Sequence, residues 1–194
     1  ERGNVQKASK LAERLMKAEP PAGTVRKIAQ MRLENGHPKA AVEAYNRAMK
    51  QGAQLKAEDY FNLGTAYQKI GKLPKAREMY RTAIKRTEDF GRAYIAIGDL
   101  YAQAVNQCSG GDMSRTDRAV YWAAVDKYRK AKQVDPSVAA QANRKIETYR
   151  KVFPTKADIF YRSAWKTGAS MTIDYGCYSW IEETTTVRPA PSPN

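Results

Sequence analysis

A pattern that recurs after 34 residues constrains the fold of this chain more than any other feature of the sequence. The first copy consists of Tyr60, Leu63, Gly64 and Tyr67. The second copy consists of Tyr94, Ile97, Gly98 and Tyr101. Each set falls at i, i+3, i+4 and i+7, which places its members on one face of a helix. A fixed period of this length is typical of a chain built from repeated supersecondary units.

The residues that follow the first copy predict a second helix packed against it. Gly71 suits the end of one helix, and Pro74 suits the first turn of the next. An aromatic side chain on one helix needs a shallow place on its neighbour. Gly64 facing Tyr80 or Ala83 would allow the two backbones a close approach. The unit is therefore predicted to be a helix hairpin.

This order of residues resembles the tetratricopeptide repeat signature, in which an aromatic, Leu-Gly and Tyr are followed by Ala and a second aromatic. Here Tyr stands where Trp and Phe are usual. The resemblance is best over residues 57–90 and 91–138, and it is weaker over 22–56, where Val25 and Arg32 replace aromatics. It implies an all-α solenoid of helix hairpins wound as a right-handed superhelix, with a groove lined by the first helix of each repeat.

Two segments of the chain depart from the regular repeat. Residues 1–21 fit the second helix of a preceding repeat, through Ala8, Ala12, Leu15 and Pro20, and we expect its partner helix to be missing from this chain. The repeat over 91–138 carries an insertion between its helices. We expect a longer first helix, a "CSGGDM" loop, and a capping box of Ser114 and Asp117 that opens a longer second helix.

Beyond Pro136 the sequence predicts a cap for the end of the solenoid. Residues 139–168 are expected to form terminal helices, the last of them started by Pro154 and ended at Gly168. The Thr-rich segment 169–187 favours β-structure. Residues 188–194 are Pro-rich and on their own favour disorder or polyproline II, so a partner protein is one candidate for ordering them. We expect the last apolar face to be covered by Trp165, Trp180 and Ile181.

The segment from about 91 to 188 is also similar to the C-terminal region of exported tetratricopeptide-repeat proteins of Bacteroidota, through "FPTKADIFY" and "GCYSWIEETTTVR". This resemblance implies the periplasm, or the inner face of the outer membrane within a larger envelope complex. In that oxidising compartment Cys108 and Cys177 would form a disulfide. The alternative is two unrelated thiols in a reducing cell. No apolar run approaches the roughly 18 residues that span a bilayer.

The charge of the chain leaves two classes of partner open. There are 34 basic and 20 acidic residues, which gives a formal net charge of +14. A polyanion such as nucleic acid or an envelope polymer would suit that balance. However, the excess is spread along the chain, without an Arg-rich run or a nucleic-acid-binding motif, so we favour an acidic peptide or protein and consider nucleic acid unlikely.

Catalytic and metal sites are not predicted. The chain has one histidine, His37, two cysteines, and no phosphate-binding loop, zinc-ligand spacing or serine nucleophile motif. The loop acids Asp112 and Asp117 supply too few oxygens for calcium. We therefore expect a non-enzymatic interaction scaffold without cofactors or metals.

The expected binding surface is the groove formed by the first helices. Its predicted members are Arg26, Gln30, Phe61, Asn62, Thr65, Lys69, Arg92, Asp99, Asn143 and Arg144. Donors of this kind suit an extended peptide with acidic side chains or a free carboxylate. Some family members clamp a terminal carboxylate with lysines on these helices, but Phe61 and Ile95 occupy those places here. The clamp is therefore not carried over to this chain.

Overall fold

A computed structural model describes residues 21–191 together with Lys7, Lys10, Leu11, Glu13 and Arg14. The chain divides into two compact units, Glu1–Arg86 and Thr87–Asn194. The five separate N-terminal residues are helical and exposed. The four residues that suggested the orphan helix, Ala8, Ala12, Leu15 and Pro20, lie outside the described part of the chain.

The first unit is built from two helix hairpins. One pairs α1 (Ala22–Glu34) with α2 (Pro38–Lys50), and the other pairs α3 (Ala57–Lys69) with α4 (Leu73–Arg86). Between α3 and α4, Gly71 has a φ of +76°, a conformation that glycine adopts without the steric cost of a side chain. Pro74 follows in the first turn of α4. The predicted hairpin is confirmed.

Close packing within the second hairpin depends on a glycine. A Cβ atom added to Gly64 would lie 2.7 Å from the ring of Tyr80, closer than carbon atoms can pack. Ala76 and Ala83, on the same face of α4 as Tyr80, are fully buried. Of the two neighbours predicted for Gly64, Tyr80 and Ala83, the one that meets it is Tyr80, and the glycine acts as a socket for the aromatic ring.

The second unit begins with a longer hairpin. Its helices are α5 (Gly91–Cys108) and α6 (Arg115–Val134), of 18 and 20 residues. Ser114 caps α6 by accepting from the Asp117 N–H at 3.2 Å, while Asp117 accepts from the Ser114 N–H at 2.8 Å. The insertion thus lengthens both helices, and Cys108 is the last residue of α5 rather than part of the loop.

The C-terminal part of the second unit combines helices with a small sheet. A 3₁₀ turn (Pro136–Val138) leads into α7 (Ala139–Arg150), which packs on α6. The next helix, α8 (Lys156–Phe160), has only five residues and is capped by Thr155, so the expected helix reaching Gly168 is much shorter than predicted. Strands β1 (Ser170–Ile173) and β2 (Glu183–Thr186) then pair antiparallel, which confirms the β-containing cap.

The cap packs around a tryptophan of α6. Trp122 is fully buried, and its ring meets that of Trp165 at 5.1 Å and that of Phe153 at 6.3 Å between centroids. Ile181 is also fully buried, and the Trp180 ring lies edge-on to Tyr101 at 5.9 Å. Large aromatic surfaces from the C-terminal segment thus cover α5 and α6, as solenoid ends require.

Candidate protein-binding site

Helices α1 and α3 are joined in the first unit by a buried ion pair. Arg26 Nη1 donates to both carboxylate oxygens of Asp59, at 3.0 and 3.1 Å, and Asp59 is only 2% exposed. The backbone N–H of Lys56 donates to the same carboxylate at 2.9 Å. Arg26, predicted as a groove residue, is therefore committed to a carboxylate of its own chain, and it fixes α1 against α3.

Two further predicted groove residues, Phe61 and Thr65, turn toward α4. Phe61 is half-buried, and its ring centroid lies 5.4 Å from that of Tyr80. The Thr65 hydroxyl donates to the Phe61 carbonyl at 3.0 Å and lies 3.2 Å from the Tyr80 hydroxyl. Phe61, predicted as a groove residue, is therefore partly covered, because it packs on the ring that fills the Gly64 socket.

The remaining predicted residues of this unit keep their polar groups near the surface. Gln30 is exposed and donates to Glu34 at 2.9 Å. Asn62 is half-buried and Lys69 is exposed. Since Asn62, Thr65 and Lys69 are spaced i, i+3 and i+7, they form one stripe along α3. This stripe leaves an amide and an ammonium group for a ligand to contact.

A tyrosine hydroxyl beneath this stripe lacks a hydrogen bond. Tyr45 of α2 is fully buried, and its hydroxyl has no hydrogen-bond partner. Burial raises its pKa to about 12, against a smaller opposing effect of the Asn62 side chain. In contrast, the hydroxyl of Tyr80 in the next hairpin is paired, since it donates to Gln68 at 2.8 Å. The Asn62 side chain is the polar group of the stripe that faces the Tyr45 hydroxyl.

A pocket of about 440 Å³ adjoins Lys69 at the end of the stripe. The turn between α1 and α2 forms one wall, and the end of α3 forms the other. Its lining consists of Gly36, His37, Pro38, Lys39, Ala40, Lys69 and Ile70. A pocket lined both by apolar residues and by two lysines suits a side chain that ends in a carboxylate. Sequence reasoning treated His37 as a turn residue and missed Lys39, although "HPK" already placed two basic groups at one turn.

In the second unit, two predicted groove residues are engaged in contacts of their own chain. Asp99 accepts from the Tyr128 hydroxyl and from Lys145 Nζ, both at 2.7 Å. Asn143 accepts from Lys132 Nζ at 2.8 Å. The other two predicted residues of this unit, Arg92 and Arg144, are exposed. Arg92 places its guanidinium 5.1 Å from the Phe90 ring centroid.

The Pro-rich tail is held by the second unit itself as far as it is described. Trp122 Nε1 donates to the Arg188 carbonyl at 2.7 Å, and the Ala190 N–H donates to the Pro154 carbonyl at 2.9 Å. The Arg188 guanidinium pairs with Asp126 at 2.7 Å. A partner protein is therefore not needed to order these residues, contrary to the expectation from composition. Residues 192–194 lie outside the described part.

The insertion supplies the surface on which the cap docks. Cys177 is disulfide-bonded to Cys108 at the end of α5, with a Cα–Cα distance of 6.1 Å. The Tyr178 hydroxyl donates to Asp117 at 2.6 Å. Burial works to raise the pKa of Asp117, but the hydrogen bonds from Tyr178 and Ser114 outweigh it and hold that pKa below its usual range. The disulfide and the capping-box residue Asp117 therefore both hold the segment around Cys177 and Tyr178 against the lengthened hairpin.

Other kinds of site find no support in the described residues. Among them, no group of three or more His, Cys, Asp or Glu side chains is arranged to hold a metal ion. Within the same part of the chain, no helix is both long and apolar enough to cross a membrane.

Comparison with known proteins identifies the repeat and the fold. Residues 57–90 match the tetratricopeptide repeat family model. Two crystal structures of MamA share the fold with a TM-score of 0.60 each. One is 21% identical, with 76% of this chain and 78% of that chain covered, and the other is 20% identical, with 78% and 74% covered. No curated protein sequence matches. The predicted tetratricopeptide-type solenoid is confirmed.

Proposed function

We propose that this tetratricopeptide-repeat chain is a non-enzymatic scaffold that binds an acidic segment of a partner protein along α1 and α3 of its first unit. Tetratricopeptide repeats serve as protein-binding modules, and the fold described above is of that kind. The observation that carries the proposal is the pocket beside Lys69, with His37 and Lys39 on its opposite wall. A Glu or Asp side chain of the partner would enter it, and the adjoining peptide would follow the stripe to Asn62.

The experiment uses a fluorescein-labelled peptide of alternating Glu and Ser residues, with the corresponding Gln and Ser peptide as its control. Binding is followed by fluorescence anisotropy. Lys69→Glu should weaken binding of the acidic peptide at least tenfold, because it removes one charge and adds a repulsive one. The matched control is Lys50→Glu, an exposed lysine at the end of α2 outside the pocket. Equal losses in both variants would show general charge attraction and sink the assigned site.

The competing function is binding of a polyanion, either nucleic acid or an envelope polymer, through the basic surface of the chain, whose formal net charge is +14. A single-stranded oligonucleotide tested in the same assay separates the two functions. Phosphate binding should weaken steeply with salt, because counterions are released from the polyanion. A peptide seated in the pocket should depend less on salt and should retain its preference for Glu over Gln at 0.15 M ionic strength, where the Debye length is about 8 Å.

We further propose that the chain works in the periplasm or at the inner face of the outer membrane. What supports this location is the Cys108–Cys177 disulfide, since such bonds persist in oxidising compartments. Mass spectrometry of the protein from a native envelope fraction, alkylated without reduction, should recover the two cysteine peptides linked. Recovery of both as alkylated free thiols would contradict the location.

A further inference from the structure

The two most exposed aromatic side chains of the described residues stand next to each other at the end of α8. Phe160 is 81% exposed and Tyr161 is 75% exposed. Their rings meet edge to face with centroids 5.5 Å apart. Aromatic side chains contribute most to stability or binding when their apolar surface is removed from water. An adjacent pair that remains exposed is therefore a candidate binding surface.

The pair projects from a firmly held base. Ile159, the preceding residue, is 5% exposed. Asp158 accepts from Arg118 Nη2 of α6 at 2.9 Å and from the Thr155 N–H at 2.8 Å. The helix that carries the two rings is therefore held in place by the burial of Ile159 and by the hydrogen bonds of Asp158. The rings are exposed although the segment itself is packed on the protein.

The sequence around the pair is strongly basic. The segment 150–168 contains five basic residues and one acidic residue. The basic residues are Arg150, Lys151, Lys156, Arg162 and Lys166. The acidic residue, Asp158, is already neutralised by Arg118. Two aromatic rings therefore stand in a segment whose remaining charge is positive, apart from the local pair between Arg150 and Glu147.

The chemistry of this patch fits a lipid surface better than a protein surface. Stable protein interfaces bury about 800 Å² on each partner around a contiguous apolar core. Here the only other large apolar side chains exposed among the described residues are Leu11 and Met113, and neither lies in the segment 150–168. Two exposed aromatic rings within a basic segment match the headgroup layer of a bilayer, where rings sit at the interface and basic groups meet lipid phosphates.

We infer that the Phe160–Tyr161 pair and the exposed lysines of the segment 150–168 dock the protein on an anionic lipid bilayer. The two rings enter the headgroup layer, and Lys156 and Lys166, both exposed, face lipid phosphates. This contact is peripheral and leaves the pocket beside Lys69 to its own ligand. It assigns a membrane-facing role to a part of the molecule that the peptide-binding function does not use.

Vesicle sedimentation of the full chain tests this inference. Equimolar phosphatidylcholine and phosphatidylglycerol vesicles should bind the protein, and pure phosphatidylcholine vesicles should bind it far more weakly. Phe160→Ala with Tyr161→Ala should weaken binding by more than about tenfold, since both apolar contacts are lost. Lys156→Gln with Lys166→Gln should weaken it by about fivefold for each charge removed. Leu11→Ala, which removes an exposed apolar side chain outside the segment 150–168, should leave vesicle binding unchanged.

A second variant reports the contact directly. Phe160→Trp should give a blue shift in fluorescence on addition of the anionic vesicles, beyond any change that the parent protein shows. Its absence, or undiminished binding by the double alanine variant, would overturn the inference. So would failure of the parent protein to bind anionic vesicles. Light scattering supplies one more outcome: self-association that the alanines abolish, without vesicle binding, would mean that the pair contacts a second copy instead.

Discussion

The hairpins α3–α4 and α5–α6 contain the same packing device but differ at their ends. In the first, the ring of Tyr80 sits against Gly64. In the second, the ring of Tyr128 sits against Gly98, where an added Cβ would lie 2.5 Å from it. Both glycine–tyrosine contacts are formed by residues of the repeat pattern. The second hairpin alone is lengthened by an insertion, and the cap docks on that extra length through Cys177 and Tyr178.

The repeat residues and the inserted residues therefore have different structural roles. The repeat residues determine how the two helices of a hairpin meet, and they do so equally in both units. The inserted residues do not disturb that contact, because they extend the helices beyond it. They instead provide the half-exposed Cys108 and the capping residue Asp117, which together hold the C-terminal segment. Local changes should therefore affect the two devices independently.

Removing the disulfide should cause the largest loss of stability among the changes considered. Cys108→Ser with Cys177→Ser opens a loop of 69 residues, which is worth about 4 kcal/mol of unfolding free energy in the chain-entropy model. The loss should fall on the second unit. Urea unfolding gives the total, and hydrogen exchange of the amides in α6 and in α3 locates it.

The two helices serve as controls for each other in that experiment. Amide protection should fall in α6 and remain in α3, because the disulfide lies wholly within the second unit. A loss below about 1 kcal/mol would show that the buried apolar contacts of Trp122 and Ile181 hold the cap without the covalent link.

Alanine at the two socket glycines should have a smaller effect, and it tests whether the sockets are equivalent. Helix propensity alone would favour Gly→Ala by about 1 kcal/mol. At Gly64 and Gly98 the new methyl group collides with a tyrosine ring, so each substitution should destabilise the protein by about 1–3 kcal/mol instead. Thermal unfolding measures both variants. Gly23→Ala, where an added Cβ meets nothing within 4 Å, is the matched control and should stabilise slightly.

The order of the two losses tests which socket has less room for a methyl group. The Gly98 contact is the tighter one, at 2.5 Å against 2.7 Å. The hydroxyls of both tyrosines are hydrogen-bonded, Tyr128 to Asp99 and Tyr80 to Gln68, so the shorter contact decides the order. Gly98→Ala should therefore cost more than Gly64→Ala. A reversed order would mean that the second hairpin opens to accommodate the methyl group.

The sequence predicted features that depend on residues close together in the chain better than contacts between separate helices. The Gly64–Tyr80 contact was predictable, because helix periodicity and residue size are local properties. The length of α8 was not, because helix propensity after Pro154 does not show where the chain must leave the helix for Trp165 to reach Trp122. The half-burial of Phe61 and the pairing of Asp99 with Lys145 likewise depend on neighbours from other helices.

The candidate site shows the same limit. Its stripe, from Asn62 to Lys69, followed from the spacing within one helix. Its pocket did not, because the pocket walls come from α3 and from the turn before α2, which only the folded unit brings together. The pairing of Arg26 with Asp59 was missed for the same reason. The sequence predicted a binding surface on the first helices, while the fold determines which of the predicted side chains are engaged within the chain.

Asp117→Asn should have the smallest effect and tests whether the capping box contributes to cap docking. Asn can still cap the backbone but carries no charge to receive the Tyr178 hydroxyl, so we expect a loss of about 1 kcal/mol at pH 7. Because the folded state holds the pKa of Asp117 below its usual 3.8, this carboxylate stabilises the fold above about pH 4, and that contribution is lost as the pH falls through the lowered pKa. The difference between parent and variant should therefore shrink when urea unfolding is repeated at acid pH. Asp112→Asn, an exposed loop acid in the same insertion, should show no such difference at either pH. A pH-independent difference at Asp117 would mean that the variant acts through helix capping alone, and that the charge makes no contribution to holding the cap on the lengthened hairpin.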